Sequence, residues 1–263
     1  MSRQNYYKQR RARDRRHVND EFVVSLVARE RRMQPRLGVR KLHGLLNEEL
    51  IDAGIEIGRD RFFEVLRDHD MLVKPLPQRS HRTTDARHSL PLFRNLIQNL
   101  EPTGPNQIWV SDITYIRTLE DFEYLSLIMD LYSRKIVGYQ CGESLDAEAN
   151  LIALNRALAD LPPDRYPIHH SDRGCQYCCH AYVQALKNRY LPVSMTEENH
   201  CYENAHAERL NGILKQEYGL GWTFGSRRQA RRAADQAVWI HNNRRPHGSL
   251  HNRMPARVHT QAA

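Results

Sequence analysis

The stretch QIWVSDITYIR, residues 107–117, decides the fold class of this chain. It is rich in β-branched and aromatic residues, which is typical of a β-strand. Two runs of the same kind follow closely, EYLSLIMDLYS at 123–133 and KIVGYQCGE at 135–143. Because short turns connect antiparallel neighbours, the three runs predict an antiparallel sheet.

A change of periodicity follows these strands. Helical spacing of apolar residues predicts a helix from about Leu145 to Leu161, and YPIHH at 166–170 predicts a fourth short strand. Helical spacing returns in CYENAHAERLNGILKQEY at 201–218. Three antiparallel strands followed by alternating helices and strands predict an α/β fold.

The preceding part of the chain, residues 19–73, shows helical periodicity throughout. Its third apolar segment begins GRDRFFEVLRDH at 58–69, after a glycine-containing turn. This arrangement predicts a helix-turn-helix with Arg59 and Arg61 at the start of the recognition helix, where base edges or phosphates are reached. An ordinary three-helix interaction domain fits the same pattern.

Residues 74–105 begin with a stretch rich in Pro, Ser, Thr and charge, which predicts a linker.

The net charge of +8 is unevenly distributed along the chain. Residues 1–41 hold 13 Lys or Arg against four acids, and residues 209–263 hold 10 against two, so residues 42–208 are acidic overall. Basic ends suit phosphate binding, and central carboxylates suit divalent cations. This pattern favours a nucleic-acid enzyme with a basic N-terminal arm at 1–18 and a basic helical tail at 221–263, although solvated charged faces explain many such compositions.

Composition also argues against several classes of protein. No apolar run approaches the roughly 20 residues that span a bilayer, and no apolar stretch follows the basic N-terminus. Five cysteines is an odd number for a disulfide framework. We therefore expect a cytoplasmic protein with free thiols and no membrane partner.

The phrase HSDRGCQYCCH at 170–180 has two interpretations. Its cysteines and histidines could hold a transition metal, or Asp172 could carry the chemistry. One Cys-x-x-Cys pair without a second pair elsewhere is weak support for structural zinc. The alternative treats Cys178 and Cys179 as small, semi-buried filling residues.

Three acids stand out once the predicted elements are placed. Asp112 falls inside the first strand, Asp172 just past the fourth, and Glu208 on the following helix, with thirty-five residues between the last two. Each acid taken alone also fits an ordinary structural role.

The sequence around the three acids, however, resembles the OrfB-type transposases of bacterial insertion sequences, which are related to retroviral integrases. The resemblance covers residues 20–258 and rests on five phrases in order: NQIWVSDITYIRT, YLSLIMDLYSRKIVGY, HSDRGCQY, SMTEENHCYENAHAERLNGILKQE and HNNRRPHGSLHNRMPARV.

The resemblance implies a ribonuclease-H-like core, a mixed five-stranded sheet with flanking helices, at residues 106–220. It implies that Asp112, Asp172 and Glu208 are the catalytic carboxylates and hold two Mg²⁺ or Mn²⁺ ions. The reaction it implies is DNA strand cleavage followed by strand transfer. We interpret Asp130, a further acid at the end of the second strand, as structural support.

Further residues are candidates for contact with DNA. Lys215 lies two helical turns beyond Glu208 on the same face, and Asn204 lies four residues before it. Arg173 and Gln176 flank the second acid as supporting candidates. In the tail, the resemblance implies DNA binding by the phrase NNRRPHGSL, which contains Arg244, Arg245 and His247.

The resemblance also implies partners: the DNA ends of the element, target DNA, further copies of the chain, and an OrfA-like partner or fusion. Such an enzyme would act at the nucleoid of a prokaryotic cell. Two alternatives stay open at this point. One is a ribonuclease-H-like nuclease that does not join DNA, and the other is a DNA-binding regulator with an inactive core.

Overall fold

A computed structural model describes residues 19–74, 90–197 and 205–261. The described residues form two compact units. The first is helical and combines 19–74 with Pro246–Asn252, and the second contains 90–245 and 253–261. The predicted basic arm at 1–18 and the candidate Asn204 lie outside the described residues.

The first unit is built from three helices: α1 at 19–31, α2 at Val39–Asp52 and α3 at Arg59–Asp68. The apolar positions of the sequence pattern meet in one core. Gly54 ends α2 with a φ of +72°, a conformation that glycine adopts without strain. The predicted helices are confirmed. The buried side chains include Val23, Val27, Leu42, Leu46, Leu50, Phe62, Val65 and Leu66.

The second unit contains a five-stranded sheet with the order β3-β2-β1-β4-β5. β1 and β3 pair with β2 antiparallel, whereas β4 pairs parallel with both β1 and β5. The mixed five-stranded sheet is therefore as predicted. The strands are β1 at Ile108–Arg117, β2 at Phe122–Asp130, β3 at Ile136–Gly142, β4 at Ile168–Ser171 and β5 at Val193–Met195.

Helices cover both faces of this sheet. One face packs against α7 (Ala205–Glu217) and α8 (Arg227–Asn243), and the other packs against α4 (Ala147–Ala159), α5 (Cys175–Cys178) and α6 (His180–Asn188). Successive side chains of β1 point to opposite faces of the sheet, so this strand contributes to both cores. Ile108 and Val110 belong to the first core and Trp109 belongs to the second. Gly138 on β3 lets α4 approach closely, because a Cβ there would lie 2.2 Å from the Ala153 carbonyl oxygen.

The segment predicted as a basic tail contributes directly to the sheet unit. Ala230, Ala234 and Val238 of α8 are buried in the same core as the strands. Asn242, near the end of α8, accepts from the Ile136 N–H and donates to the Ile136 carbonyl, both at 2.9 Å. This side chain pairs with the backbone of β3 as a neighbouring strand would. The last described elements are a 3₁₀ turn at Gly248–Leu250 and α9 at Pro255–Gln261.

The later part of the predicted linker is also ordered against the sheet unit. The Leu96 N–H donates to the Ser194 hydroxyl at 2.8 Å, and the Met195 N–H donates to the Arg94 carbonyl at 3.4 Å. These bonds lie along β5, the last strand of the sheet. Across the described ranges, no helix combines the length and apolar character that a membrane span requires.

Candidate active site

The register between β1 and β4 brings two of the predicted acids together. Val110 pairs with His170 in this parallel ladder. Asp112 lies two residues beyond Val110, and Asp172 lies two residues beyond His170, just past the last residue of β4. Neighbouring strands lie about 4.8 Å apart, so the two carboxylates occupy the same level of the sheet, Asp112 within β1 and Asp172 just past β4. The strand placements predicted for both acids are confirmed.

The third acid comes from α7, which packs on β1. Glu208 lies in the first turn of α7 and is exposed. Asn211, three residues on, shares its face of the helix. The Asn211 side-chain amide donates to Asp112 Oδ2 at 2.7 Å. This bond joins the helix that carries Glu208 to the strand that carries Asp112.

The electrostatics of Asp112 reflect the charges of the other two acids. The pKa of Asp112 is raised to about 7, first by burial and then by the charges of Asp172 and Glu208. The Ile113 N–H, which donates to Asp112 Oδ1 at 2.9 Å, and the charge of Lys215 act in the opposite direction. Crowded carboxylates of this kind repel one another and favour a proton or a cation between them.

The group has the chemistry of a site for a hard divalent cation. Its donors are oxygen atoms, which Mg²⁺ and Mn²⁺ prefer. Asn211 Oδ1 is buried and has no hydrogen-bond partner among the described residues, although it lies beside Asp112. Within the described ranges, no three His, Cys, Asp or Glu side chains already converge as a cation cluster. The acids thus lie on neighbouring elements and offer donor atoms that suit such an ion, but their side chains do not converge on one point. A bound cation would have to draw the carboxylates together.

A tight turn orients Asp172 at the end of β4. The Gly174 N–H donates to Asp172 Oδ1 at 3.0 Å. A Cβ at Gly174 would lie 3.1 Å from that same oxygen and 2.9 Å from Gln176 Oε1, so glycine leaves room for the bond. Arg173 Nε donates to the Thr196 carbonyl at 2.7 Å, and Gln176 donates to the Leu145 carbonyl at 2.8 Å. Both flanking side chains therefore tie the turn to neighbouring loops.

Comparison with known proteins connects this geometry to a family. Two family profiles, both described as integrase core domain, match residues 102–201 and 191–255. The IS600 uncharacterized 31 kDa protein of Shigella sonnei is 35% identical over 260 residues, which cover 97% of this chain and 94% of that protein. The chain belongs to the insertion-sequence transposases with an integrase core domain.

Two further similarities support the assignment. Transposase InsF of insertion sequence IS3A from Escherichia coli is 40% identical over 141 residues, and the match spans 53% of this chain and about half, 49%, of InsF. A chain of the simian T-cell lymphotropic virus intasome, solved with a PP2A regulatory subunit, has a TM-score of 0.53 at 19% identity. That match covers 84% of this chain and 74% of the viral one. The ribonuclease-H-like fold is confirmed, and the protein is an enzyme of the polynucleotidyl transferase type.

Lys215 of the transposase lies where the sequence spacing predicted it, on the face of α7 that carries Glu208 and Asn211. Its Nζ atom is 4.0 Å from the centroid of the Tyr115 ring. Burial lowers the pKa of Lys215, while the charge of Asp112 raises it. The ammonium group is thus within the electrostatic field of Asp112.

Asp130 is confirmed as a structural acid. Its carboxylate is fully buried and accepts from the Ser133 N–H at 2.7 Å and from the Ser133 hydroxyl at 2.6 Å. Its second oxygen accepts from the Asn106 N–H at 2.7 Å. These bonds fix the turn after β2 to the start of β1.

The cysteine-rich segment follows the turn that holds Asp172 in the transposase. Cys178 is buried, and its sulfur lies 3.7 Å from that of Met195, so its predicted role as a filling residue is confirmed. Cys179 is partly buried, whereas Cys175 is exposed. Asp172 is the residue of this phrase that joins the acidic group.

The structure corrects one predicted DNA contact. Arg245 is only 2% exposed, and it donates from Nε and Nη2 to the two oxygens of Glu217 at 2.7 and 2.8 Å. A guanidinium that is buried and doubly bonded to a carboxylate is not available to a phosphate. Arg245 is therefore a structural residue, whereas Arg244 beside it is half-buried.

In the helical unit, the two predicted arginines differ in availability. Arg61 contacts Asp20 at 2.6 Å and Glu64 at 3.3 Å. Arg59 is 59% exposed, and its ion pair within the described ranges is with the exposed carboxylate of Asp60, at 3.1 Å. Arg59 is consequently the freer of the two to meet DNA.

Asn211 is a neighbour of Asp112 that was not predicted from the sequence. Its spacing from Glu208 offered a signal, because residues three apart share a helix face. The bond to Asp112, however, spans 99 positions of sequence and became visible only in the folded chain.

Proposed function

We propose that this transposase cleaves the DNA at the ends of its insertion sequence and joins the freed 3′ ends to target DNA, using Asp112, Asp172 and Glu208 as metal ligands. The observation that carries the proposal is the parallel register that sets Asp112 level with Asp172, together with the influence of Asp172 and Glu208 on the pKa of Asp112. Two carboxylates at one level of the sheet, with a third on the adjoining helix, suit phosphodiester chemistry better than structural support.

Two Mg²⁺ or Mn²⁺ ions would be held by these three acids, and they would supply activation of the attacking oxygen and stabilisation of the leaving oxygen in an in-line displacement. The similarity to integrase core domains supports the metal dependence. The oxygen donors and the unpartnered Asn211 oxygen support it from within the chain.

The protein's own residues would orient the reactants. Asn211 restrains the Asp112 carboxylate through its 2.7 Å bond, so the acid keeps one orientation. Lys215 is positioned to bind a DNA phosphate beside the acids, because its cationic group lies in their field and against the Tyr115 ring. Positioned groups that need not reorganise are the main source of electrostatic catalysis.

We further propose that the helical unit recognises the ends of the element through α3, with Arg59 as its freest contact, and that Asn204 and Arg244 touch DNA near the core. The active form would be a multimer that holds two DNA ends, with an OrfA-like partner or fusion. The place of action would be the bacterial nucleoid.

The test is a strand-transfer assay with the purified chain, a labelled duplex that ends in the terminal repeat of its own element, and Mg²⁺ or Mn²⁺. Joined products are expected with wild type and not with Asp172→Asn. Glu208→Gln should bind the duplex normally in a gel shift and yield no cleavage, since only a metal ligand is lost. Cleavage without joining by wild type would favour the nuclease alternative.

A second readout does not depend on activity. Mn²⁺ should raise the melting temperature of wild type, because an ion that binds only the folded state stabilises it. The shift should be absent in an Asp112→Asn, Asp172→Asn double variant. Equal shifts in both proteins would show that these acids are not the metal ligands and would remove the main support of the proposal.

A further inference from the structure

Helix α8 carries four arginines that the fold separates into two pairs. Arg227 and Arg231 turn toward the sheet, where they contact Glu143 at 2.6 and 2.8 Å, and Arg231 also contacts the buried carboxylate of Glu123 at 2.7 Å. Arg228 and Arg232 are exposed and take part in no ion pair with the described residues. The first pair is structural, and the second pair is free to bind a partner.

The free pair belongs to a continuous exposed stripe. Arg228 and Arg232 are one helical turn apart, about 6 Å along the axis. Trp239 lies eleven residues after Arg228, which returns it to the same side of the helix, and its side chain is 55% exposed. Arg and Trp are among the residue types that contribute most binding energy at interfaces, so an exposed Trp beside two exposed arginines indicates a contact surface.

The charge of the stripe selects its partner. Asp235 is the only acid in the α8 sequence, and it is exposed; burial raises the pKa of Tyr139 of β3, and the charge of Asp235, its hydrogen-bond partner, raises it further. Asp235 lies seven residues after Arg228 on the same side of the helix, so the two arginines outnumber this one acid and leave the stripe with a net positive charge. A surface of guanidiniums beside an aromatic ring suits a chain of phosphates.

We propose that the stripe of Arg228, Arg232 and Trp239 is a second DNA-binding surface, on which the two arginines contact phosphates of one strand of a duplex and Trp239 packs against the sugars. The inference rests on the proposed function, because it assigns a surface to the DNA that the enzyme would act on. It also supplies the basic contact that Arg245, being buried, does not make.

The test is the salt dependence of duplex binding by the full chain, measured by fluorescence anisotropy in EDTA. No chemistry occurs under these conditions, so a failure of strand transfer would not affect the result. Each phosphate contact contributes about 0.9 to the slope of log affinity against log salt. Arg228→Ala with Arg232→Ala should flatten that slope by about 1.8 and weaken binding at 0.1 M salt by roughly 10- to 100-fold.

Other variants separate charge from shape. Arg228→Lys with Arg232→Lys should keep the wild-type slope, because the charges remain. Trp239→Ala should weaken binding several-fold without changing the slope. A matched control is Lys187→Ala with Tyr190→Ala on the opposite face of the sheet, where Lys187 and Tyr190 are also exposed; it should behave as wild type.

Three outcomes would overturn the proposal. One is an unchanged slope in the double alanine variant, and another is an equal loss in the control. The third is a change of association state by light scattering with DNA affinity intact, which would make the stripe an interface between copies of the chain. Melting temperatures should match wild type in every variant, since the altered side chains are exposed.

Discussion

The ion pair of Arg245 and Glu217 provides a sharp test of the fold. Arg245 is buried, and its two donors meet both oxygens of Glu217, which is itself only 17% exposed. Replacing Arg245 by alanine would remove both of these charge-assisted bonds from a largely buried carboxylate. Breaking a buried pair by removing one partner costs about 3 to 5 kcal/mol.

The expected effect on thermal stability follows from that value. For a unit of this size each 1 kcal/mol shifts the melting temperature by about 2 to 4 °C, so Arg245→Ala should lower it by roughly 6 to 20 °C. Glu217→Ala should produce a loss of similar sign, because it leaves the buried guanidinium unpaired. The double variant should lose less than the sum of the two, since the pair acts as one interaction.

The assay is urea unfolding followed by circular dichroism, with Arg257→Ala as the control. Arg257 lies exposed on α9, and its removal should change the free energy of unfolding by less than about 0.5 kcal/mol. DNA affinity of Arg245→Ala should be normal at a temperature where the protein is folded. Wild-type stability combined with a weaker salt dependence of DNA binding would refute the structural role and restore Arg245 as a phosphate contact.

Two further predictions concern the site and its surroundings. Burial, reinforced by the charge of His170, lowers the pKa of His169 from 6.5 to about 3. Between these two pH values the unfolded chain therefore binds more protons than the native protein. The free energy of unfolding should consequently fall as the pH drops below about 6.5. The loss should approach about 1.4 kcal/mol per pH unit, and His169→Asn should show a shallower fall in urea unfolding at pH 7, 6 and 5; parallel curves would contradict this. Asn211→Leu should slow strand transfer by about 10- to 100-fold while duplex binding in EDTA is retained, because the orientation of Asp112 is lost; an unchanged rate would remove Asn211 from the site.

The local structure was largely predictable because it follows from periodicity. Alternating and β-branched residues marked β1, β2 and β3, and helical spacing marked α2, α3 and α7. Asp112 and Asp172 could be placed on their strands from the same pattern. The resemblance to a family then explained why those acids belong together.

The roles of individual residues in the C-terminal segment were less predictable. Composition marked residues 221–263 as a basic tail, but the small apolar residues of α8 pack into the sheet core. The phrase around Arg245 looked like a phosphate contact because charge is visible in sequence and burial is not. Among the described residues of α8, the arginines that make no ion pair are Arg228 and Arg232, one turn apart on the helix before it.

The sequence by itself determined which elements form, which side of each is apolar, and which three acids could share a site. Tertiary structure alone decided the β1–β4 register, the bond from Asn211 to Asp112, and the pairing of Arg245 with Glu217. The physical reason is the separation along the chain between the residues that interact. Periodicity reports a residue's neighbours within a turn or a strand, whereas the partner of a charged side chain is chosen by packing between segments that lie far apart in the chain.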